Sequence, residues 1–307
     1  MHWGLVATIK ATTTETLNFV AHHLELGAHR IYVYLDEPDP STFALLKSHP
    51  KVRVTKCDDI YWSKHPRRPK KHQVRQSTNA THAYRRAEVD WLAHIDVDEF
   101  LSSDAPIIDQ LAALPATTHC ARLYPAEALA GDGTAFKRTN RFRQDRAATA
   151  ERLYTTYGRY LDGGFLSHVE GKLFIRTGLS DVTLRIHNVF QGETQNPGEV
   201  PLEQTVLCHC HAQSWNAFIA AYRFRLERGS YRADLAPMRP ALEGGLTLNE
   251  LLRSIEDEHG ETGLRFFYDE LVADTPEHRQ RLANEGLLHV RDLNLAVSRR
   301  KQFPNFG

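Results

Sequence analysis

Hydrophobic and polar residues alternate along the first sixty positions in blocks that predict a βαβαβ order. The apolar runs at 4–9, 29–37 and 51–59 are rich in β-branched and aromatic residues, which is typical of buried strands. Between them, 15–27 and 40–50 carry apolar residues at helical spacing and end at a glycine and a proline. This order predicts a parallel sheet with right-handed crossovers.

The next segment breaks the alternation. "SKHPRRPKKHQVRQ" (63–76) carries six Lys or Arg and two prolines, Pro66 and Pro69, which predict a loop that becomes a helix near Gln73. The helix continues over 77–90, and "WLAHIDV" (91–97) follows as a fourth strand. Its acids therefore lie at the carboxyl end of a strand, where ligands bind in open α/β sheets.

The rest of the chain predicts further strands and then mainly helices. We expect a helix at 106–114, a strand at 119–125, a glycine-rich turn at 131–133, an excursion loop at 140–165, strands at 171–177, 182–190 and 204–212, and helices at 214–228 and 247–258. The predicted fold class is α/β, with a Rossmann-like, mostly parallel sheet flanked by helices. We expect one domain over 1–213 and a helical C-terminal region over 214–307 packed on it.

Charge and composition restrict the partners. Lys plus Arg and Asp plus Glu both total 38, so no overall field favours nucleic acid or an anionic membrane, and any polyanion binding must be local. No run approaches the roughly 20 apolar residues of a transmembrane helix. The four cysteines form neither a CxxC pair nor a dense framework, which favours a reducing cytoplasm.

Three carboxylates, Asp96, Asp98 and Glu99, crowd into four positions of "WLAHIDVDEF" (91–100). Like charges this close repel each other, and a divalent cation between Asp96 and Asp98 removes the conflict. Carboxylate oxygens suit Mg²⁺ or Mn²⁺, which usually also bind oxygens of a substrate phosphate. A calcium loop is excluded, because the glycine and the glutamate that it requires downstream of Asp96 are missing. A solvated surface turn and a phosphatase of the haloacid dehalogenase type are the alternatives.

Two stretches, "VATIKATTTETLNFVAHHLELGAHRIYVYLDEPDPST" and "DWLAHIDVDEFL", resemble glycosyltransferase family 2-like proteins of the GT-A fold. The resemblance is to the bacterial branch whose D-x-D motif reads DVDEF, and it is specific over the first third of the chain. It implies a nucleotide-diphosphate sugar donor, bound across the carboxyl ends of the first strands, and a hydroxyl acceptor on a glycan, polysaccharide or glycoconjugate. A non-catalytic carbohydrate-binding protein on a degenerate transferase fold is a further alternative.

The resemblance also implies roles for particular residues. Asp36 falls where the family places an acid near the base and ribose, Asp59 adds a second contact, and Lys10 meets the pyrophosphate. Asp96 faces the ribose or a metal-bound water, and Asp98 ligates the metal. A distal histidine completes the metal shell: His209 matches best, and His211 and His187 stay open as alternatives.

The leaving diphosphate needs cations, and the acceptor hydroxyl needs a base if the reaction inverts the anomeric centre. Lys172 and the basic loop over 64–75 are the candidates for the first task. For the second, Glu127 and Glu170 lie near the expected acceptor side, and Glu99 is adjacent to the metal. The sequence does not choose among these three.

Overall fold

The computed structural model describes residues 1–229, 231–237 and 245–306. The helices are α1 (Thr13–Glu25), α2 (Pro40–Ser48), α3 (Asp59–Trp62), α4 (His72–Tyr84), α5 (Ile107–Ala112), α6 (Arg143–Leu153), α7 (Trp215–Glu227), α8 (Leu248–Val272), α9 (Pro276–Asn284) and α10 (Leu295–Gln302). No helix in these ranges is both long enough and apolar enough to cross a lipid bilayer.

The strands are β1 (Trp3–Ile9), β2 (Arg30–Leu35), β3 (Val52–Lys56), β4 (Trp91–His94), β5 (Glu99–Ser103), β6 (Cys120–Ala128), β7 (Ala135–Arg138), β8 (Lys172–Arg176), β9 (Val182–Leu184), β10 (Val189–Gln191), β11 (Thr194–Gln195), β12 (Val200–His209) and β13 (Leu288–Val290). The predicted α/β class, a sheet flanked by helices, is confirmed.

The chain divides into two compact units. The first comprises 1–124, 170–207 and 293–307, and the second comprises 125–169 and 208–292. The sequence predicts a catalytic domain over 1–213 and a helical region over 214–307. Because this division is by function as well as by packing, it stays a prediction. Part of its helical region, residues 238–244, lies outside the described residues.

A parallel sheet forms the centre of the first unit. Strands β3, β2, β1 and β4 lie side by side in parallel, as the βαβαβ pattern predicts. Beyond β4 the pairing becomes antiparallel, first to β8 and then to the start of β6. Because β1 and β4 are buried on both faces, they read as continuous apolar runs. Capping fixes the first crossover, since Thr12 and Glu15 form a capping box at the start of α1.

The second unit has its own core, built mainly from helices α7 and α8 and the loop before β8. Its buried residues include Tyr154, Phe218, Phe267 and Tyr268. Helix α8 bends at Gly260, whose φ of 61° is strained for other residues. The short β13 pairs antiparallel with β7 in this unit.

Two predictions about elements were wrong. The segment 140–165 is not a loop throughout, because α6 occupies Arg143–Leu153. Its residues form helices readily but lack an apolar stripe, so periodicity does not reveal the helix. The segment 182–190 is not one strand but the hairpin of β9 and β10, closed by the Arg185 N–H bond to the Asn188 carbonyl (2.8 Å).

Candidate active site

Three acids follow β4 in a short turn that leads into β5. The backbone N–H of Asp96 donates to Oε2 of Glu99 (2.7 Å), and the N–H of Glu99 donates back to the carbonyl of Asp96 (3.0 Å). Glu99 is buried, whereas Asp96 and Asp98 are half-buried. The turn is closed by its own hydrogen bonds, and it presents Asp96 and Asp98 at the carboxyl end of a parallel strand.

A fully buried lysine, Lys172 at the start of β8, faces these acids. Its Nζ lies 2.6 Å from Oδ2 of Asp96 and 3.4 Å from Oε2 of Glu99. Burial lowers the pKa of Lys172, but the negative charges of Asp96, Glu99 and Asp98 outweigh burial, and the net pKa lies above the ordinary value for lysine. Lys172 is therefore a permanent cation at neutral pH.

The Asp96 carboxylate is held from two elements. Its Oδ2 accepts from Lys172, and its Oδ1 accepts from the side-chain amide of Gln76 in α4. Two donors on different oxygens fix the orientation of the carboxylate. Helix α4 thus positions the first acid of the D-x-D motif.

We call Asp96, Asp98, Glu99 and Lys172 the acidic cluster. Within this cluster of four side chains, the three carboxylates exceed the single ammonium by two negative charges. A divalent cation would offset that excess, and hard carboxylate oxygens are the ligands that Mg²⁺ and Mn²⁺ prefer. The side chains present therefore fit a divalent metal.

Asp36, the predicted nucleotide contact, directly follows β2 and is buried. Nε of Arg75 lies 3.0 Å from Oδ1 and 2.9 Å from Oδ2 of Asp36. One terminal guanidinium nitrogen of Arg75 lies 2.8 Å from Oδ2. Arg68 adds a contact to Oδ1 (3.1 Å) and one to the Asp36 carbonyl (3.2 Å). The acid therefore holds two arginines at the carboxyl edge of the sheet.

Two other predicted donor contacts lie on the surface of the same unit. Lys10 is exposed and forms an ion pair with Glu37 (2.5 Å). Asp59 is exposed at the start of α3, whose cap is the neighbouring Asp58, which accepts from the Tyr61 N–H (2.9 Å). Neither geometry by itself defines a nucleotide contact, and both roles stay predictions.

The two predicted bases have different surroundings. Glu127 is buried in the second unit, where it accepts from the backbone N–H groups of Leu166 (3.1 Å) and Ser167 (2.6 Å) and lies 3.4 Å from Lys137. Glu170 in the first unit is exposed, and its carbonyl accepts from Arg122 (3.0 Å). Of the two, Glu170 has the side chain that solvent reaches.

The candidate distal histidines are all half-buried. In the second unit, the rings of His209 and His211 lie 5.1 Å apart between centroids, as expected for side chains on one side of an extended segment. His211 is engaged through Nε2 with the Tyr231 hydroxyl (2.9 Å). In the first unit, Nδ1 of His187 is 2.8 Å from the Gly171 carbonyl.

Sequence reasoning missed the polar residues of α4. Arg75 and Gln76 are consecutive, and they bind Asp36 and Asp96, which end two different strands. Arg75 ends the basic loop over 64–75 that the sequence proposes for the diphosphate, but its contact with Asp36 was not predicted, and Gln76 was not selected at all. A usable signal was the lack of any acid between 60 and 87, which leaves the arginines to find partners elsewhere in the chain.

The acidic cluster lies at the carboxyl edge of the parallel strands, where open α/β sheets bind ligands, and comparison with known proteins identifies the family. The sequence model of glycosyltransferase family 92 matches residues 10–239. This range is well over half of the chain, which therefore belongs to glycosyltransferase family 92. The assignment to family 2 is corrected accordingly, and the predicted enzyme class, glycosyltransferase, is confirmed at the level of the family.

Several solved structures are similar to this chain at low identity. A mycobacterial protein is 13% identical, with a TM-score of 0.35 over 61% of this chain and 57% of its own. S. aureus TarS is 12% identical, with a TM-score of 0.38, and the match covers 99% of this chain and 81% of TarS. An active-site mutant of LgtC is 12% identical, with a TM-score of 0.31, and the match covers 56% of this chain and 57% of LgtC. The chain thus spans less than two thirds of the mycobacterial protein. A search of curated protein sequences gave no match.

Proposed function

We propose that this chain transfers a sugar from a nucleotide-diphosphate sugar to a hydroxyl group of a glycan, polysaccharide or glycoconjugate, with Mn²⁺ or Mg²⁺ as cofactor. Family membership supports the transfer reaction over the phosphatase and the non-catalytic alternatives. The observation that carries the metal and the donor is the acidic cluster, with its excess of negative charge at the edge of a parallel sheet. A cytoplasmic location stays a prediction from cysteine usage.

In this proposal Asp98 is the principal metal ligand, and Asp96 is the oriented carboxylate beside it. Asp96 is held by Lys172 and Gln76, so its carboxylate has a fixed orientation. His209 is proposed as the distal ligand on the sequence alone. When bound, the metal supplies positive charge to the leaving diphosphate.

The chain's own cations complete the donor site. Lys172 keeps its charge at neutral pH and is proposed to attract the diphosphate, with Lys10 beside the first strand. Asp36 and Asp59 are the proposed contacts to the base and ribose. The guanidinium groups that Asp36 orients add further positive charge at that edge.

For an inverting transfer we propose Glu170 as the base that takes the acceptor proton. It is the exposed member of the predicted pair, whereas Glu127 is already occupied by two backbone N–H groups and Lys137. An exposed carboxylate is accessible to an acceptor hydroxyl that arrives from solvent.

Calorimetric titration with uridine and guanosine diphosphates tests the proposal, each nucleotide with and without Mn²⁺. We expect binding that requires the metal and that weakens at least tenfold in Asp98→Asn, because one metal ligand loses its charge. The exposed Asp109→Asn is the matched control and should bind as the unchanged protein does. Phosphatase activity without nucleotide affinity would contradict the proposal.

A further inference from the structure

One stretch of the first unit is far more basic than the rest of the chain. Residues 60–87 contain eight Lys or Arg and no Asp or Glu, in a protein whose net charge is zero. The side chains of Lys64, Arg67, Lys70 and Lys71 are exposed. Positive charge is therefore concentrated locally on an otherwise balanced protein.

Exposed apolar side chains lie on either side of these four cations in the sequence. Ile60 in α3 is 73% exposed and Val74 in the first turn of α4 is 47% exposed. Exposure of single apolar residues is common on protein surfaces. Here two of them flank four exposed cations along the chain, so the exposed side chains of 60–74 are both apolar and basic, and we call this segment the basic surface.

The basic surface is held in place rather than loosely attached. Arg75 donates from one terminal nitrogen to the carbonyls of Pro69 (3.0 Å) and Lys70 (2.9 Å), while the rest of its guanidinium binds Asp36. Arg68 ties the middle of the segment to the same carboxylate. Because these bonds already order the backbone, the segment loses little backbone entropy when it meets a partner.

We propose that the basic surface docks on a negatively charged lipid bilayer. The lysines and arginines match anionic headgroups, and Ile60 and Val74 match the apolar boundary below the headgroups. A soluble polyanion such as a charged glycan offers negative charge to the lysines and arginines but no apolar region for Ile60 and Val74. Since the net charge is zero, attraction begins only when this surface comes within a Debye length of the bilayer.

Co-sedimentation of the full chain with vesicles tests this inference independently of any transferase activity. We expect binding to phosphatidylcholine vesicles that contain about one third phosphatidylglycerol, and no binding to pure phosphatidylcholine. Binding should fall steeply as the Debye length shortens from about 10 Å at 0.1 M salt to about 3 Å at 1 M salt.

Two variants and a matched control make the test specific. The affinity of Arg67→Ser/Lys70→Ser/Lys71→Ser for the vesicles should fall about 100-fold, because each cation that is removed lowers the affinity about fivefold. Ile60→Ser should lose only a few-fold, because one apolar contact is removed. Lys47→Ser/Lys51→Ser/Arg300→Ser changes the net charge equally, at exposed positions outside the basic surface, and should bind as the unchanged protein does.

Thermal melting shows that each variant is folded before it is assayed. Four results would overturn the inference: no binding to the anionic vesicles, equal binding to neutral ones, an equal loss in the control variant, or binding to soluble heparin without binding to vesicles. The last result would make the surface a site for a polyanion instead.

Discussion

The two units each bury a lysine completely, and the two lysines respond in opposite ways. Lys172 of the first unit lies beside Asp96 and Glu99, and its pKa is raised. Lys137 of the second unit lies 3.4 Å from Glu127 and donates to two backbone carbonyls, and its pKa is lowered, chiefly by burial. Both lysines are fully buried. Lys172 is a cation among several carboxylates, whereas Lys137 forms a nearly balanced pair with Glu127.

The difference separates a site from a structural support. Lys137 and Glu127 form one ion pair of opposite charges. In addition, Glu127 accepts from two backbone N–H groups, and the Lys137 ammonium donates to the carbonyls of Gly164 and Leu271. Such a group ties loops together and has no need of a ligand. Within the acidic cluster, three carboxylates accompany the one ammonium of Lys172, so a further positive charge is favourable there.

Replacing Lys137 should have the largest effect on stability. Lys137→Met leaves the Glu127 carboxylate buried without its cation, and we expect the free energy of unfolding to fall by about 3–5 kcal/mol. Urea denaturation measures this. The control is Lys301→Met, which removes an exposed ion pair with Glu25 and should cost less than about 1 kcal/mol. Equal losses in the two variants would remove Lys137 from its structural role.

Replacing Lys172 should cost nearly as much, about 3 kcal/mol, but for a different reason. Lys172→Met leaves Asp96, Asp98 and Glu99 to repel one another, and a divalent cation can relieve that repulsion. We expect Mn²⁺ to raise the melting temperature of Lys172→Met markedly and to leave that of Lys137→Met nearly unchanged. The same Mn²⁺ response in both variants would show that the two lysines do not differ as described.

A smaller effect concerns pH and the neighbourhood of Lys137. Burial, together with the Lys137 charge, lowers the pKa of His278 to about 4 from the ordinary 6.5. Between these values the unfolded state binds the proton and the folded state does not, so stability falls as the pH falls through this window. The slope for one group is about 1.4 kcal/mol per pH unit.

His278→Gln should remove this contribution. Urea denaturation at pH 6.5 and pH 4.5 measures the change in stability for both proteins, and the variant should lose about 2 kcal/mol less on acidification. An exposed histidine provides the control: His259→Gln should follow the unchanged protein. If His278→Gln loses as much as the unchanged protein, the imidazole does not titrate differently on unfolding.

The sequence predicted best where a pattern is local. Periodicity located β1, α1, β2, α2 and β3, because buried strands and amphipathic helices repeat at fixed intervals. It missed α6, which is helical by composition without an apolar stripe, and β5, a five-residue strand that begins at Glu99, the last of the three acids. The turn between β9 and β10 was missed because it interrupts an apolar run without Gly or Pro.

For the candidate site, the sequence predicted the acids but not their partners. Asp96, Asp98 and Lys172 were chosen from the sequence, and the structure places Lys172 against Asp96. Gln76 was not chosen, since its bond to Asp96 spans 20 residues and depends on how α4 packs on the sheet. Likewise, the clamp of Arg75 on Asp36 depends on a tertiary contact across 39 residues, which no spacing rule anticipates.

The most direct test of the central claim is a titration of Mn²⁺ into the unmodified chain, followed by the electron paramagnetic resonance signal of free Mn²⁺. The excess negative charge of the acidic cluster predicts one Mn²⁺ site, with an affinity about tenfold weaker in Asp98→Asn and unchanged in Asp109→Asn. Equal Mn²⁺ affinity in the Asp98→Asn variant and the unmodified chain would contradict the claim that this cluster binds the metal.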